Sequence, residues 1–272
     1  MFGYEEDYSE VKTHFNQIML QREAEIRGTL RRAKDPLKLA VQYAMIGNYI
    51  DFWSHAEGGR GQSWTGCSSM PRSCRCRSRE YQSMRQALLS GKSVAYLTDN
   101  CGEIVLDKLL MQEIKQINDQ AHVTAIVRGH KVLNDATMED AQQVSLADAA
   151  YVMDNGSDIA GTCLDELSQQ AKQALDQADV ILAKGQANFE TLCKCGKNVY
   201  YPFYVQMQLV CRPVWGADVS RHFDSRQQLL KWKCIWASYA KARRRVKTRR
   251  LAFCISTRKS RAVSLFLQHR RI

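Results

Sequence analysis

The chain has 272 residues, long enough to bury a proper core as one large or two small domains. Its formal charge of +11 is uneven: residues 203–272 carry 17 Lys and Arg against two Asp, a net +15, while residues 1–202 carry 22 Lys and Arg against 26 Asp and Glu, a net −4. The basic signal therefore belongs to the tail, no apolar run approaches the roughly 20 residues of a membrane span, and the acidic start, Met1 to Glu10, lacks a signal-peptide profile. Ten cysteines without a secretory signal read as reduced thiols, and a soluble, cytoplasmic protein is expected.

Residues 4–30 are predicted to form an amphipathic helix, with Val11, Phe15, Ile18, Met19, Ile26 and Leu30 at helical spacing. Asp35-Pro36 starts a second, Asp as N-cap and Pro in the first turn, and Leu37, Ala40, Val41, Ala44 and Met45 form its buried stripe. Gly47 is placed to end that helix as a C-cap, and the pattern is lost at Trp53. It returns at Tyr81 with Met84, Leu88 and Leu89 on a short helix that stops at Gly91. The apolar run from Ser93 to Leu97 then reads as a buried strand, which breaks at Asp99-Asn100 before a helix over Ile104 to Ile117. Further strands are predicted at His122 to Arg128, Tyr151 to Met153, Val180 to Ala183 and Val199 to Tyr201, with helices at Met138 to Gln143 and Thr162 to Ala178. Strands alternating with helices imply a mostly parallel sheet.

Four successive strands end in polar turns carrying Asp99 and Asn100, Arg128 and Asp135, Asp158, and Lys184 and Asn188. Parallel strands bring such turns to one edge, where open α/β sheets bind ligands. Carboxylates and an amide oxygen, without His or paired Cys, suit a hard divalent cation such as Mg²⁺ or Mn²⁺. Arg128 and Lys184 supply cationic donors for phosphate oxygens. Taken singly, each acidic residue could equally be a helix cap, and Gly156 and Gly185 could serve backbone geometry alone. Cys193-Lys194-Cys195 is too closely spaced for the usual zinc knuckle, and no Walker loop is present.

Residues 97–103, 132–137, 156–162 and 183–190 together resemble, in order, the motifs of the damage-control phosphatase family, the acidic-residue-methyltransferase-1-like domains also known as domain of unknown function 89. The resemblance is dense over residues 81–201 and looser over 35–52. It implies a three-layer α/β/α fold with a mostly parallel, Rossmann-like sheet, and a metal-dependent phosphatase acting on small phosphorylated metabolites, sugar phosphates among them. Carried over, it makes Asp99, Asn100 and Asp135 the ligands of a divalent metal (Mg, Mn, Co or Ni), and has Lys184 hold the phosphate. Arg128, Gly156, Ser157, Asp158 and Asn188 match positions near the substrate. Asp99, Asn100 and Lys184 are then the catalytic set.

The chain also departs from the family. Ala160 and Ala187 stand where Pro and Gly are expected, the second stiffening the turn that carries Asn188. Family members carry further helices before the point matching Met1. Residues 53–80 and 203–272 do not resemble the family, and together they hold six of the ten cysteines. Codons for residues 63–74 read two bases later can encode an amphipathic helix, and codons from Phe203 read one base later can encode a family-like continuation. Both stretches are thus expected to be out of frame, giving a helical part (1–52), an aberrant segment (53–80), an α/β core (81–202) and an aberrant basic tail (203–272) in an impaired copy. The rival reading makes the tail, with its basic run at Lys241 to Arg250, a nucleic-acid or anionic-membrane arm on an inactive core. Trp232, Trp236, Phe253 and Phe266 form no organised aromatic platform, so neither nucleic acid nor membrane is the expected partner.

Overall fold

The structure, a computed structural model, describes residues 8–56, 78–204 and 213–214, and the side chains of 8–47 and 79–202. Two units, Met1–Ala217 and Asp218–Ile272, divide the chain, and all described residues belong to the first. Of the two unusual stretches, only 53–56 and 78–80, and 203–204 and 213–214, are described. The proposed reading-frame changes, the basic tail and the start of the first predicted helix otherwise lie outside the described residues.

Helix α1 (Ser9–Arg32) buries Phe15, Met19, Ile26 and Leu30 on one stripe, as the spacing predicts. Helix α2 (Pro36–Ala56) opens as expected, with Asp35 Oδ1 accepting the Lys38 N–H at 3.1 Å. Gly47, however, does not end it. A Cβ at Gly47 would come within 2.6 Å of Glu103 Cγ, so the glycine permits a close helix crossing and the helix continues past it to Ala56. Helix α3 (Ser78–Ser90) stops before Gly91, whose N–H still bonds Ala87 O.

The core alternates β1 (Ser93–Leu97), α4 (Glu103–Ile117), β2 (His122–Val127), α5 (Met138–Gln143), β3 (Tyr151–Asp154), α6 (Gln169–Gln177), β4 (Val180–Ala183), α7 (Gly185–Leu192) and β5 (Val199–Tyr200). The five strands pair in parallel in the order β3-β2-β1-β4-β5, with Leu97 opposite both Ile126 and Ala183. A short antiparallel pair, β6 (Phe203–Tyr204) and β7 (Pro213–Val214), follows. With parallel crossovers right-handed, as the general rule has it, this strand order puts α4 and α5 on one face of the sheet and α6, which returns from β3 to β4, on the other, in keeping with the expected three-layer α/β arrangement. Helix α4 is buried all round over residues 103–111, packing Ile104, Val105, Leu106, Leu109, Leu110, Met111 and Ile114 among the sheet and the helices α1 and α2, with Glu103, Asp107 and Lys108 buried beside them.

Two further predictions are corrected. The helix expected from Thr162 begins only at Gln169, because residues 162–168 are committed elsewhere. The Thr162 N–H donates to Thr191 Oγ1 at 2.9 Å, its hydroxyl donates to Asn188 Oδ1 at 2.7 Å, and Ser168 Oγ caps α6 by accepting the Ala171 N–H. Residues 184–188, read as a polar turn, instead open α7, whose residues are Gly185–Leu192, so Ala187 lies in a helix rather than stiffening a loop.

Candidate active site

The strand order reverses between β1 and β4: the chain leaves β1 toward β2 and β3, then returns to the opposite side of β1. Such a switch point opens a crevice at the carboxyl ends of the two strands. Asp99 and Asn100 follow β1 and Lys184 follows β4, with the Lys184 N–H donating to Leu97 O at 2.9 Å. The loop after β2 folds back on them. Ala136 N–H donates to Asp99 O at 2.7 Å and Cys101 N–H to Asn134 O at 2.9 Å, which pairs Asn100 with Asp135 across a short antiparallel bridge.

The side chains converge accordingly. Arg128 donates through Nε to Asp135 Oδ2 at 2.6 Å, through a terminal nitrogen to Gly161 O, and through the other to Asn188 Oδ1 at 3.4 Å. Asn188 Nδ2 donates to Thr98 O at 3.1 Å and to Lys184 O at 2.7 Å, stitching the ends of β1 and β4 together. The Asn100 amide nitrogen donates to Asp99 Oδ2 at 3.0 Å and to Glu103 Oε2 at 3.3 Å, which turns the amide oxygen away from both carboxylates. Gly185 leaves room for Asp99: its φ is +77°, and a Cβ there would lie 1.9 Å from Asp99 Oδ2.

Lys184 is fully buried, and its ammonium pairs with Glu103 Oε1 and, at 3.2 Å, with Asp107 Oδ1. Glu103 and Asp107 stand one turn apart on α4, and Tyr96 donates its hydroxyl to Asp107 Oδ1 at 2.7 Å. Neither carboxylate is given a role by the sequence reading, in which Glu103 closes the 97–103 motif and Asp107 falls within the predicted helix. Burial works against the Lys184 charge, but the carboxylates of Asp107 and Glu103 outweigh it and hold its pKa above the ordinary lysine range. Burial pushes the Glu103 carboxyl up to about 7, although Lys184 opposes the shift. Burial, then the negative charges of Asp135 and Glu103, hold Asp99 well above the carboxylate range, with Arg128 and Lys184 offsetting only part of it.

The remaining sequence candidates sit on the loop after β3. Gly156 donates its N–H to Asp154 Oδ1 at 2.8 Å, Ser157 is buried and donates its N–H to Asn155 Oδ1 at 2.9 Å, and Asp158 is exposed. Asn155 Oδ1 also accepts the Gly129 N–H at 2.8 Å, tying this loop to the one after β2. The structure thus brings Asp99, Asn100, Arg128, Asp135, Lys184 and Asn188 into one hydrogen-bonded cluster, which the β3 loop joins through Gly161 O.

A family model described as the damage-control phosphatase ARMT1-like domain matches residues 1–225. The chain belongs to this damage-control phosphatase family. It is 35% identical over 215 residues to a damage-control phosphatase of Archaeoglobus fulgidus, covering 79% of this chain and 72% of that one. A damage-control phosphatase of Pyrococcus horikoshii is 32% identical over 162 residues, 60% of this chain and 55% of its own length. The crystal structure of a DUF89 family protein from Pyrococcus horikoshii superposes with a TM-score of 0.59 and 25% identity, covering 76% of this chain and 73% of that one. Among the described residues no helix is long and apolar enough to cross a membrane.

The family implies a metal, and the donor chemistry fits one. Four carboxylates, Asp99, Glu103, Asp107 and Asp135, surround two cations, Arg128 and Lys184, so the fully ionised cluster carries two uncompensated negative charges inside the protein. A divalent cation would neutralise them. Among the described residues no three His, Cys, Asp or Glu side chains converge closely enough to hold a metal, so a set built on Asp99 and Asp135 would take its further oxygen donors from an amide, a backbone carbonyl or water.

Proposed function

We propose that this damage-control phosphatase family member is a divalent-metal-dependent phosphomonoester hydrolase acting on small phosphorylated metabolites such as sugar phosphates, with Asp99, Asn100 and Asp135 as its metal ligands. The observation that carries the reading is the buried cluster of four carboxylates around only two cations at the switch point of the sheet. A bound divalent ion supplies a water of lowered pKa and an electrophile for a phosphoryl oxygen.

The chain's own residues do the rest. The Arg128 bond to Asp135 Oδ2 fixes that carboxylate's orientation, as partners of metal ligands commonly do. The Asn100 bonds to Asp99 and Glu103 fix which end of its amide is the donor to a cation. Lys184, held charged by Glu103 and Asp107, acts as a fixed positive charge beside Asp99 rather than as a proton donor, and offsets negative charge that builds up on the phosphoryl group. Reaching a phosphate oxygen directly would require the ammonium to swing off one of those carboxylates, a tightening that occupied sites often show. Gly156, Ser157 and Asp158 shape the outer wall, where the organic part of a substrate would lie.

All of these side chains come from residues 99–188, so the proposed chemistry draws on neither unusual stretch, and the full-length chain is the right material to assay. Hydrolysis of p-nitrophenyl phosphate is expected with added Mg²⁺, Mn²⁺, Co²⁺ or Ni²⁺ and is lost in a chelator. Asp99→Ala is expected to abolish it. Metal-independent turnover, or unchanged activity in the Asp99 variant, refutes the assignment.

A further inference from the structure

The N-terminal half of α1 carries a buried polar face that the chemistry above does not use. Asn16 is completely buried, with its whole amide engaged. Its Oδ1 accepts the Gly102 N–H at 2.6 Å, while its Nδ2 donates to Asp140 Oδ1 at 2.9 Å and to Gln143 Oε1 at 2.8 Å. One turn earlier, Lys12 Nζ pairs with Asp140 Oδ2 at 2.6 Å. Asp140 Oδ2 also accepts both the N–H and the hydroxyl of Thr137 at 2.8 Å, closing the N-terminal turn of α5. Further along the same loop, Lys131 donates to Ser9 Oγ at 2.9 Å.

These contacts reach two separate pieces of the chain. Gly102 lies two residues after Asn100, and Asp140 closes the turn that begins two residues after Asp135. The Asn16 amide therefore bonds on one side to the loop holding Asp99 and Asn100, and on the other to the helix start that anchors the loop holding Asp135. Gly102 itself takes a φ of +69°, and a Cβ there would lie 3.3 Å from Phe15 Cβ, so the loop also packs against α1 beside Asn16.

Resting on the metal reading above, we propose that Asn16 is a positioning residue that sets the separation of the two ligand-bearing loops, so that α1 determines metal affinity without touching the metal. A buried amide with all three of its bonds made is costly to replace, and partners that orient metal ligands typically govern affinity by about 10- to 100-fold.

The test is Mn²⁺ titration of the full-length chain by calorimetry, alongside thermal unfolding in a chelator. Asn16→Ala is expected to weaken Mn²⁺ binding by about 10- to 100-fold. Met19→Ala, on the same helix but in the apolar stripe, is expected to lower the unfolding temperature at least as much while binding Mn²⁺ as the wild type does. The isosteric pair covers an Asn16→Ala variant that fails to fold. Asn16→Asp sets a carboxylate against Asp140 and is expected to lose affinity, and adding Asp140→Asn restores a donor between them and recovers part of it. Wild-type affinity in Asn16→Ala, an equal loss in Met19→Ala, or no recovery in the double variant overturns the proposal. Failure of the wild type itself to bind Mn²⁺ overturns the metal reading instead, and is distinguished by being shared with Asp99→Ala.

Discussion

At the β1 and β4 ends of the sheet, Asp99, Glu103, Asp107 and Lys184 are buried and held by one another's charge; after β3, two strands away, Asp158 is exposed and Gly156 and Ser157 are placed by turn hydrogen bonds. In the first region Glu103, Asp107 and Lys184 each depend on a partner drawn from a different element. In the second, short polar side chains, Asp154, Asn155 and Ser157, shape the loop by accepting backbone N–H groups, bonds that involve no charge pairing. Buried charges cost several kcal/mol each unless they are paired, so the inner region tolerates little change, whereas an exposed residue such as Asp158 is under no such constraint.

The largest effect that would break this contrast is at Gly185. An alanine there must adopt a positive φ, costing about 1–2 kcal/mol in backbone strain, and its Cβ overlaps the Asp99 carboxylate. Displacing Asp99 by even about an ångström is expected to lower metal-dependent turnover by about 100-fold, read as kcat on an aryl phosphate at saturating metal. Near-normal turnover would mean that the crevice is looser than its packing implies.

Next is Lys184→Met, which keeps the bulk and removes the charge. Leaving Glu103 and Asp107 buried without their cation is expected to cost about 3–5 kcal/mol in the metal-free protein at neutral pH. The sign of its pH dependence follows from Glu103. Its carboxyl sits at about 7 in the folded protein, above the ordinary 4.5, and loses the main opposing influence with Lys184 gone. A carboxyl raised on folding destabilises increasingly as pH climbs from its unfolded pKa through its folded one. The variant should therefore lie closest to wild type near pH 5 and farthest from it above pH 7, as thermal unfolding in a chelator would read. A pH-independent deficit would show that lost packing, not charge, is responsible.

The smallest effect is expected on the outer wall. Asp158→Asn is exposed and should change stability by less than about 0.5 kcal/mol. It is expected to shift KM for a sugar phosphate by about 2- to 10-fold, the range of one hydrogen bond, with kcat and Mn²⁺ affinity unchanged. A loss of metal affinity at this position would merge the two regions into one.

The same division describes what could be read from the residues alone. Strands such as Val180–Ala183 are short apolar runs with sharp polar ends, so the residues just past them, Asp99, Asn100, Arg128, Asp135 and Lys184, stood out as candidates gathered at one edge. Their partners did not. Glu103 and Asp107 look like solvated residues until residues 103–111 of α4 are known to be buried all round, and Asn16 lies far along the chain from both Gly102 and Asp140. Gly47 and Gly185 illustrate the same limit: one reads as a helix end and the other as a turn, yet each is required by an atom of a distant element, Glu103 Cγ and Asp99 Oδ2. Long-range contact overrides local preference at these positions.

The pairing of β1 with β4 also has a kinetic consequence. Leu97 and Lys184 meet only after α4, β2, α5, β3 and α6 have been threaded between them, so the ammonium that balances the cluster arrives through the longest loop closure within the parallel sheet. Closing such a loop is slow and entropically costly, and little is gained until its ends join. A growing or refolding chain thus holds its acidic loops before it holds their counter-charge, and the charge-balanced, closed crevice becomes a late marker of the folded state.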